Sequence, residues 1–206
     1  MSEEKKEKIY YDARSVTLRT PQTVQFVQDH DKLNALALTL KEKETLQTLI
    51  FTKSKRQADT IANSLKEQGM KAVAVHGNHT KETQQERVES FNKSETNIIV
   101  TVDTIFQTLE LNNPLLVISY DLPNYPQDYF NRVASMKELG VAISLVSPED
   151  DRSLALIEHN IKADIEESII EGFVATPSTK QIKKKKKPRH KKTKTKKNSK
   201  VEEKEL

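Results

Sequence analysis

The 206 residues predict an α/β fold, a parallel sheet with helices on both faces. One observation is a series of short runs almost continuous in apolar residues: 48–52 (TLIFT), 72–75 (AVAV), 97–101 (NIIVT), 115–120 (LLVISY) and 141–146 (VAISLV). A strand wet on one side would alternate, so such runs belong to strands buried on both faces. The second observation is the helical spacing of the segments between and before them. Leu33, Leu36, Ala37 and Leu40 share one helix face, as do Ala58, Ile61, Ala62 and Leu65. The third is that runs and helical segments alternate, as parallel strands joined by crossover helices require.

In chain order, residues 1–19 are polar, carry no sustained period and are expected to form a loosely packed lead, with order starting near Thr20. Val24, Phe26 and Val27 mark a short strand before the Leu33–Leu40 helix face. Strand 48–52 leads to the helix around Ala58–Leu65, then strand 72–75 and a helix over 81–91. Strand 97–101 follows, and a turn at Asn112, Asn113 and Pro114 introduces strand 115–120. A helix over 127–135 precedes strand 141–146, and a last helix spans 149–161 after Pro148. An Ile-containing segment ends at Gly172 and Phe173. A chain of this size buries one core of about 150 residues. The expected organisation is a lead at 1–19, one domain at 20–175 and a disordered basic tail at 176–206.

Composition narrows the setting. The absence of cysteine excludes disulfides and thiolate metal sites and suits a reducing cytoplasm. The N-terminus MSEEKKEK has no apolar stretch behind it, and no run approaches the ~18 apolar residues of a membrane span. Neither secretion nor membrane insertion is expected. Charge is unevenly divided: residues 1–179 hold 20 Lys or Arg against 27 Asp or Glu, net −7, and residues 180–206 hold 14 against 3, net +11. Attraction to a polyanion is therefore expected from the tail.

Five fragments carry a family resemblance in order and in frame. They are LIFTKSKRQADTIANSL, AVAVHGNHTKETQQERVESF, IIVTVDTIFQTLEL, ISYDLP and DYFNRVASMKELGVAISLV, with weaker similarity through SPEDDRSLALIEHNI to IIEGF. Together they resemble the C-terminal RecA-like lobe of DEAD-box RNA helicases from about Val24 to Phe173, with the basic tail similar to RhlE-like bacterial members. The resemblance implies a RecA-like fold. It also implies vestigial nucleotide contacts at Asp103 (ribose) and Arg132 (the first arginine of motif VI), and RNA contacts at Ser54, Gly77 and Lys81.

Departures from the family pattern fall on polar positions. Motif VI reads Asn131-Arg132-Val133-Ala134-Ser135-Met136-Lys137-Glu138, which puts Glu138 where the family has its arginine finger, a group worth roughly 10³–10⁵ in rate. Lys137 beside it lacks the planar fork of arginine. In motif V, Val102 replaces a threonine, and Gln107 and Thr108 replace an arginine and a glycine. Lys81 and Gln84 stand where the family has glutamine and arginine. With four glycines, at 69, 77, 140 and 172, these residues contain no phosphate-cradling G-x-x-x-x-G-K-[ST] loop. No cofactor is therefore expected for the chain on its own, and ATP with Mg²⁺ only where a partner lobe supplies that loop.

Ordinary structural roles compete with these functional ones. Asp103, just after a strand, suits a helix cap or turn; Arg132 suits a pair with Asp128 four residues before it; Phe51 suits the core. His76 and His79 are not expected to hold a metal, since no cysteine is available and the nearest acids, Glu82 and Glu86, lie on a helix surface. The Lys-rich run is different, with 12 Lys or Arg within 183–200. Lys183, Lys184, Lys185, Lys186, Lys187, Arg189, Lys191 and Lys192 are expected to bind RNA without sequence preference, and no amphipathic period points to a membrane. Three functions fit the residues. The chain is a non-catalytic RNA-associated accessory protein, associated with a ribonucleoprotein; or the second lobe of a split helicase whose N-terminal lobe is another chain; or a decayed remnant.

Overall fold

The computed structural model describes residues 12–43, 45–112, 114–137 and 139–176. All lie in one compact unit that ends at Thr176. Its elements are α1 (Ala13–Arg19), β1 (Gln22–Phe26), a 3-10 turn (Asp29–Asp31), α2 (Lys32–Lys41), β2 (Thr48–Phe51), α3 (Lys55–Glu67), β3 (Ala72–Val75), α4 (Lys81–Asn92), β4 (Ile98–Thr101), α5 (Asp103–Phe106), β5 (Leu116–Ser119), α6 (Pro126–Ala134), β6 (Val141–Val146), α7 (Asp151–Ile161) and β7 (Glu166–Glu167). Every expected strand and long helix is present, with bounds within about two residues, the usual uncertainty of helix and strand ends.

The strands form one sheet in the order β3-β4-β2-β5-β6-β1-β7, and every pairing is parallel. Alternate residues of each strand feed opposite faces. Ile50, Val100, Ile118 and Ile143 pack with Leu36 and Leu40 of α2 and Ile61 and Leu65 of α3. Leu49, Ile99, Val117 and Ala142 pack on the other face with Phe91 of α4, Phe130 and Val133 of α6, and Ile157 of α7. Both faces being covered is why the central strands are apolar throughout. No helix among the described residues is long and apolar enough to cross a membrane.

The N-terminal expectation needs correction, because residues 12–19, expected to be loosely packed, form a capped helix against the domain. The Asp12 carboxylate caps α1 by accepting from the Arg14 and Ser15 amides. Val16 and Thr17 are buried, and Arg14 donates to the Asn160 carbonyl of α7 at 2.7 Å. This helix escapes a hydrophobic reading because half its buried face is a threonine, whose hydroxyl is satisfied by the Ala13 carbonyl at 2.8 Å. Residues 1–11 and the basic run lie outside the described residues.

Gly140 shows how closely α6 and β6 approach β5. A Cβ there would sit 2.4 Å from the Leu115 carbonyl oxygen and 2.5 Å from Met136 Sδ. That same carbonyl accepts the first β6 ladder bond, from Val141 N–H at 3.0 Å. Gly140→Ala is therefore expected to cost about 1–3 kcal/mol by forcing strand and helix apart, read as a lowered urea midpoint.

Candidate functional site

A parallel sheet presents all its carboxyl ends on one side, where α/β folds bind ligands. The loops there begin at Thr52, His76, Val102, Tyr120 and Ser147, each following a strand. Among them the structure brings together the two residues assigned to nucleotide, Asp103 and Arg132, and joins them to each other. Arg132 Nε donates to Asp103 Oδ1 at 2.7 Å and Nη2 to Oδ2 at 2.6 Å. Nη1 donates to Ser119 Oγ at 3.1 Å and to the Asp121 carbonyl at 2.8 Å.

Four of the five guanidinium N–H groups are thus engaged inside the domain. The side chain is fully buried, and its guanidinium carbon lies 4.8 Å from the Phe51 ring centroid. The expected i−4 pair with Asp128 is not what forms, since the fork matches the carboxylate across the sheet end bidentately. Asp103 is also not a cap. It is the first residue of α5, Val102 holds the cap position, and the carboxylate is committed to Arg132. Phe51 is core as expected, and in addition it floors the arginine.

Asp121 links this knot to a second one. Its carboxylate accepts from Thr52 Oγ1 at 2.8 Å and from the Lys53 amide at 3.0 Å, and lies 3.4 Å from Lys32 Nζ. Lys32, only 1% exposed, donates to Asp150 Oδ2 at 2.8 Å, and Lys53 Nζ reaches Asp150 Oδ1 at 3.2 Å. Ser147 adds its hydroxyl and amide to the same carboxylate. Burial pushes the Asp150 carboxyl up, but the Lys32 and Ser147 bonds outweigh it and hold it below the usual carboxylate value.

A carboxyl depressed in the folded state stabilises fully above its unfolded value, about 3.9 for Asp. The contribution is lost as pH falls through the lower folded value. Asp150→Asn is expected to flatten this part of the acid limb below about pH 4, measured as urea midpoints against pH.

The space beside these knots is a cleft of about 390 Å³, whose walls include Lys53, Lys55, Asp103, Thr104, Tyr125 and Asp128. Burial, with the nearby Asp103 charge acting the same way, pushes the Asp128 carboxyl up. The cleft walls contain two carboxylates and no arginine, so they lack the planar fork best suited to phosphate.

Of the residues assigned to RNA, Ser54 caps α3 by accepting from the Gln57 amide at 3.1 Å and is exposed. Gly77 is exposed nearby, where Lys55 Nζ lies 3.5 Å from its virtual Cβ and donates to Asn78 Oδ1 at 2.9 Å. Lys81 is exposed at the start of α4 and lines a different cleft, with Gln85, Glu89 and Glu110. Gln84 donates to the carbonyls of His76 and His79 and so ties down the loop. Lys183–187, Arg189, Lys191 and Lys192 lie outside the described residues.

One grouping was not legible beforehand. Asp59 of α3 stands beside His76 and His79, supplying an acid from another element, whereas the sequence offered only Glu82 and Glu86.

The seven-stranded all-parallel sheet with helices on both faces is a RecA-like fold of the helicase C-terminal kind. The helicase conserved C-terminal domain family matches residues 31–134, half of the chain, and the chain belongs to that family. It is 32% identical over 157 residues to the ATP-dependent RNA helicase SUB2-2 of Vanderwaltozyma polyspora, covering 74% of this chain and 35% of that protein. It is 28% identical over 142 residues to the probable ATP-dependent RNA helicase MJ0669 of Methanocaldococcus jannaschii, covering 68% and 38%. The chain thus spans just over a third of the length of these relatives. A crystal structure of a DEAD box protein from Methanococcus jannaschii matches with TM-score 0.69 at 25% identity, over 75% of this chain and 43% of that one. The fold also matches E. coli SrmB, from a complex with regulator of ribonuclease activity A, with TM-score 0.69 at 20% identity, over 77% and 98%.

Proposed function

We propose that this chain acts as a non-catalytic, RNA-associated accessory protein, with the folded lobe as a scaffold and the Lys-rich run from Lys183 to Lys200 as the RNA-binding element. The observation that carries this reading is the enclosure of Arg132. The one arginine retained from motif VI is buried and bound to Asp103, Ser119 and Asp121, so it has no free fork to offer a phosphoryl group. Glu138 at the arginine-finger position acts in the same direction. Polar replacements in motifs V and VI, beside a well-packed core, are what a lobe released from ATP chemistry would carry. The basic run alone supports an affinity with RhlE-like bacterial members.

The share of relatives' length covered favours a second reading, in which the lobe works with an N-terminal helicase lobe that supplies the phosphate-binding loop, ATP and Mg²⁺ lying between the two. The readings separate on mixing with such a lobe: RNA-stimulated ATP hydrolysis belongs to the second only.

The accessory reading is tested by RNA binding across salt. Single-stranded RNA is expected to bind the full chain with a steep slope, about −4 if roughly six phosphates are neutralised. Residues 1–176, which keep Thr176 anchored to Asp31 by bonds of 2.9 and 2.7 Å, are expected to bind about a hundredfold more weakly, with a shallow slope. Equal affinity of the two would move RNA binding to the lobe.

A further inference from the structure

We propose that Asp59, His76 and His79 form a binding site for a divalent transition-metal ion of the Zn²⁺ class. The three come from separate places: Asp59 from the middle of α3, His76 from the end of β3, and His79 from the loop before α4. Their ligand atoms all lie within 4.8 Å of one another. His76 Nε2 is 3.0 Å from Asp59 Oδ1 and His79 Nε2 is 3.8 Å from the same oxygen. A tetrahedral ion with bonds of about 2.0–2.1 Å holds its ligands roughly 3.3 Å apart, a value between these two. Both imidazoles reach the same Asp59 oxygen, but their rings stack with centroids 3.9 Å apart and planes 21° from parallel, so one ring must rotate for both nitrogen lone pairs to point at a single ion.

The burial of His76 adds to this. Its side chain is 2% exposed, and Nε2, although 3.0 Å from Asp59 Oδ1, makes no well-aligned hydrogen bond to it or to any other atom. Such an atom normally finds a donor, an acceptor or an ion. Two nitrogen donors and one oxygen suit Zn²⁺ better than Mg²⁺ or Ca²⁺, which favour oxygen. The half-exposed Asp59 leaves the ion a route in and a position open to water.

Three contacts limit the affinity, one being the His76 amide, which donates to His79 Nδ1 over 3.3 Å and so leaves the His79 ring proton on Nε2. Arg87 Nη1, anchored on the Ala74 carbonyl, lies 3.1 Å from His79 Nε2 and must swing aside for a cation. The amide of Asn78 donates to His76 Nδ1 over 3.4 Å. When Nε2 takes the ion, the ring proton moves to Nδ1 and this long bond is given up. Binding is therefore weaker than at a preformed structural zinc site, and an ion there would tie the loop carrying Gly77 to α3.

The test is a Zn²⁺ titration of the full-length chain against a chromophoric chelator, with Co²⁺ absorption reporting coordination. One ion is expected per chain. Asp59→Asn, at a half-exposed position, and His79→Ala should each weaken binding by about tenfold or more. Arg87→Gln should tighten it, an effect that a purely structural cluster would not produce. No binding by the unaltered chain would overturn the assignment, and unchanged affinity in Asp59→Asn and His79→Ala would overturn it too, by placing the ion at another histidine such as His30, His159 or His190. Binding by Arg87→Gln that is no tighter would overturn the position beside His79.

Discussion

Replacing Lys32 by Met is expected to destabilise the domain by about 3–5 kcal/mol, because it removes one partner of a buried ion pair and strands the other. Asp150 is 3% exposed on its side chain and cannot be rescued by water. Lys53 remains beside it at 3.2 Å, but 46% of that side chain is exposed, and a mobile surface lysine is a poor replacement. Asp121 also loses the cation 3.4 Å away. The second substitution distinguishes charge from packing. Lys32→Met combined with Asp150→Asn leaves no unpaired charge at this pair, and is expected to recover part of the loss, giving a favourable coupling in a double-mutant cycle. Urea unfolding of the four proteins measures it, and additive losses would contradict the account.

Replacing Arg132 by Met is expected to cost about 3 kcal/mol, assembled differently. Asp103 is 29% exposed, so its carboxylate rehydrates, and losing the bidentate pair is partly offset by solvent. The larger share comes from Ser119 Oγ and the Asp121 carbonyl, both left without the donor they face. The methionine stem keeps most of the contact with Phe51, so the change isolates the polar loss. If Arg132 were held in reserve for a phosphate, its removal would instead leave folding stability nearly intact. Thermal unfolding of the variant decides between these outcomes.

The sequence reveals an element when its chemistry is local. Strands β2, β4 and β5, read from the runs 48–52, 97–101 and 115–120, announce themselves because both faces of the sheet are covered, and two-faced burial leaves no polar alternation. Helix α1 is silent because Thr17 buries as a polar residue. The knots at the strand ends are silent for another reason. Arg132 and Asp103 are separated by 29 positions, and Lys32 and Asp150 by 118, so only the closed sheet brings them together. Asp128, four residues from Arg132, was the attractive local partner, but the backbone places Asp103 in line with the guanidinium fork. Lys32 reads as an ordinary surface lysine until α2 is set over the ends of β5 and β6. Asp59 likewise meets the histidines only because β3 lies beside β4 at the sheet edge, with α3 packed along them.

The folded lobe therefore has a sheet packed on both faces, while the charged residues at its strand ends, Arg132 with Asp103 and Lys32 with Asp150, bind one another. Affinity of the full chain for single-stranded RNA, measured with and without ATP and Mg²⁺, tests this most directly. The account predicts the same dissociation constant and the same salt slope in both conditions. A change in RNA affinity on adding ATP would contradict it, by showing that Asp103 and Arg132 still answer to a nucleotide.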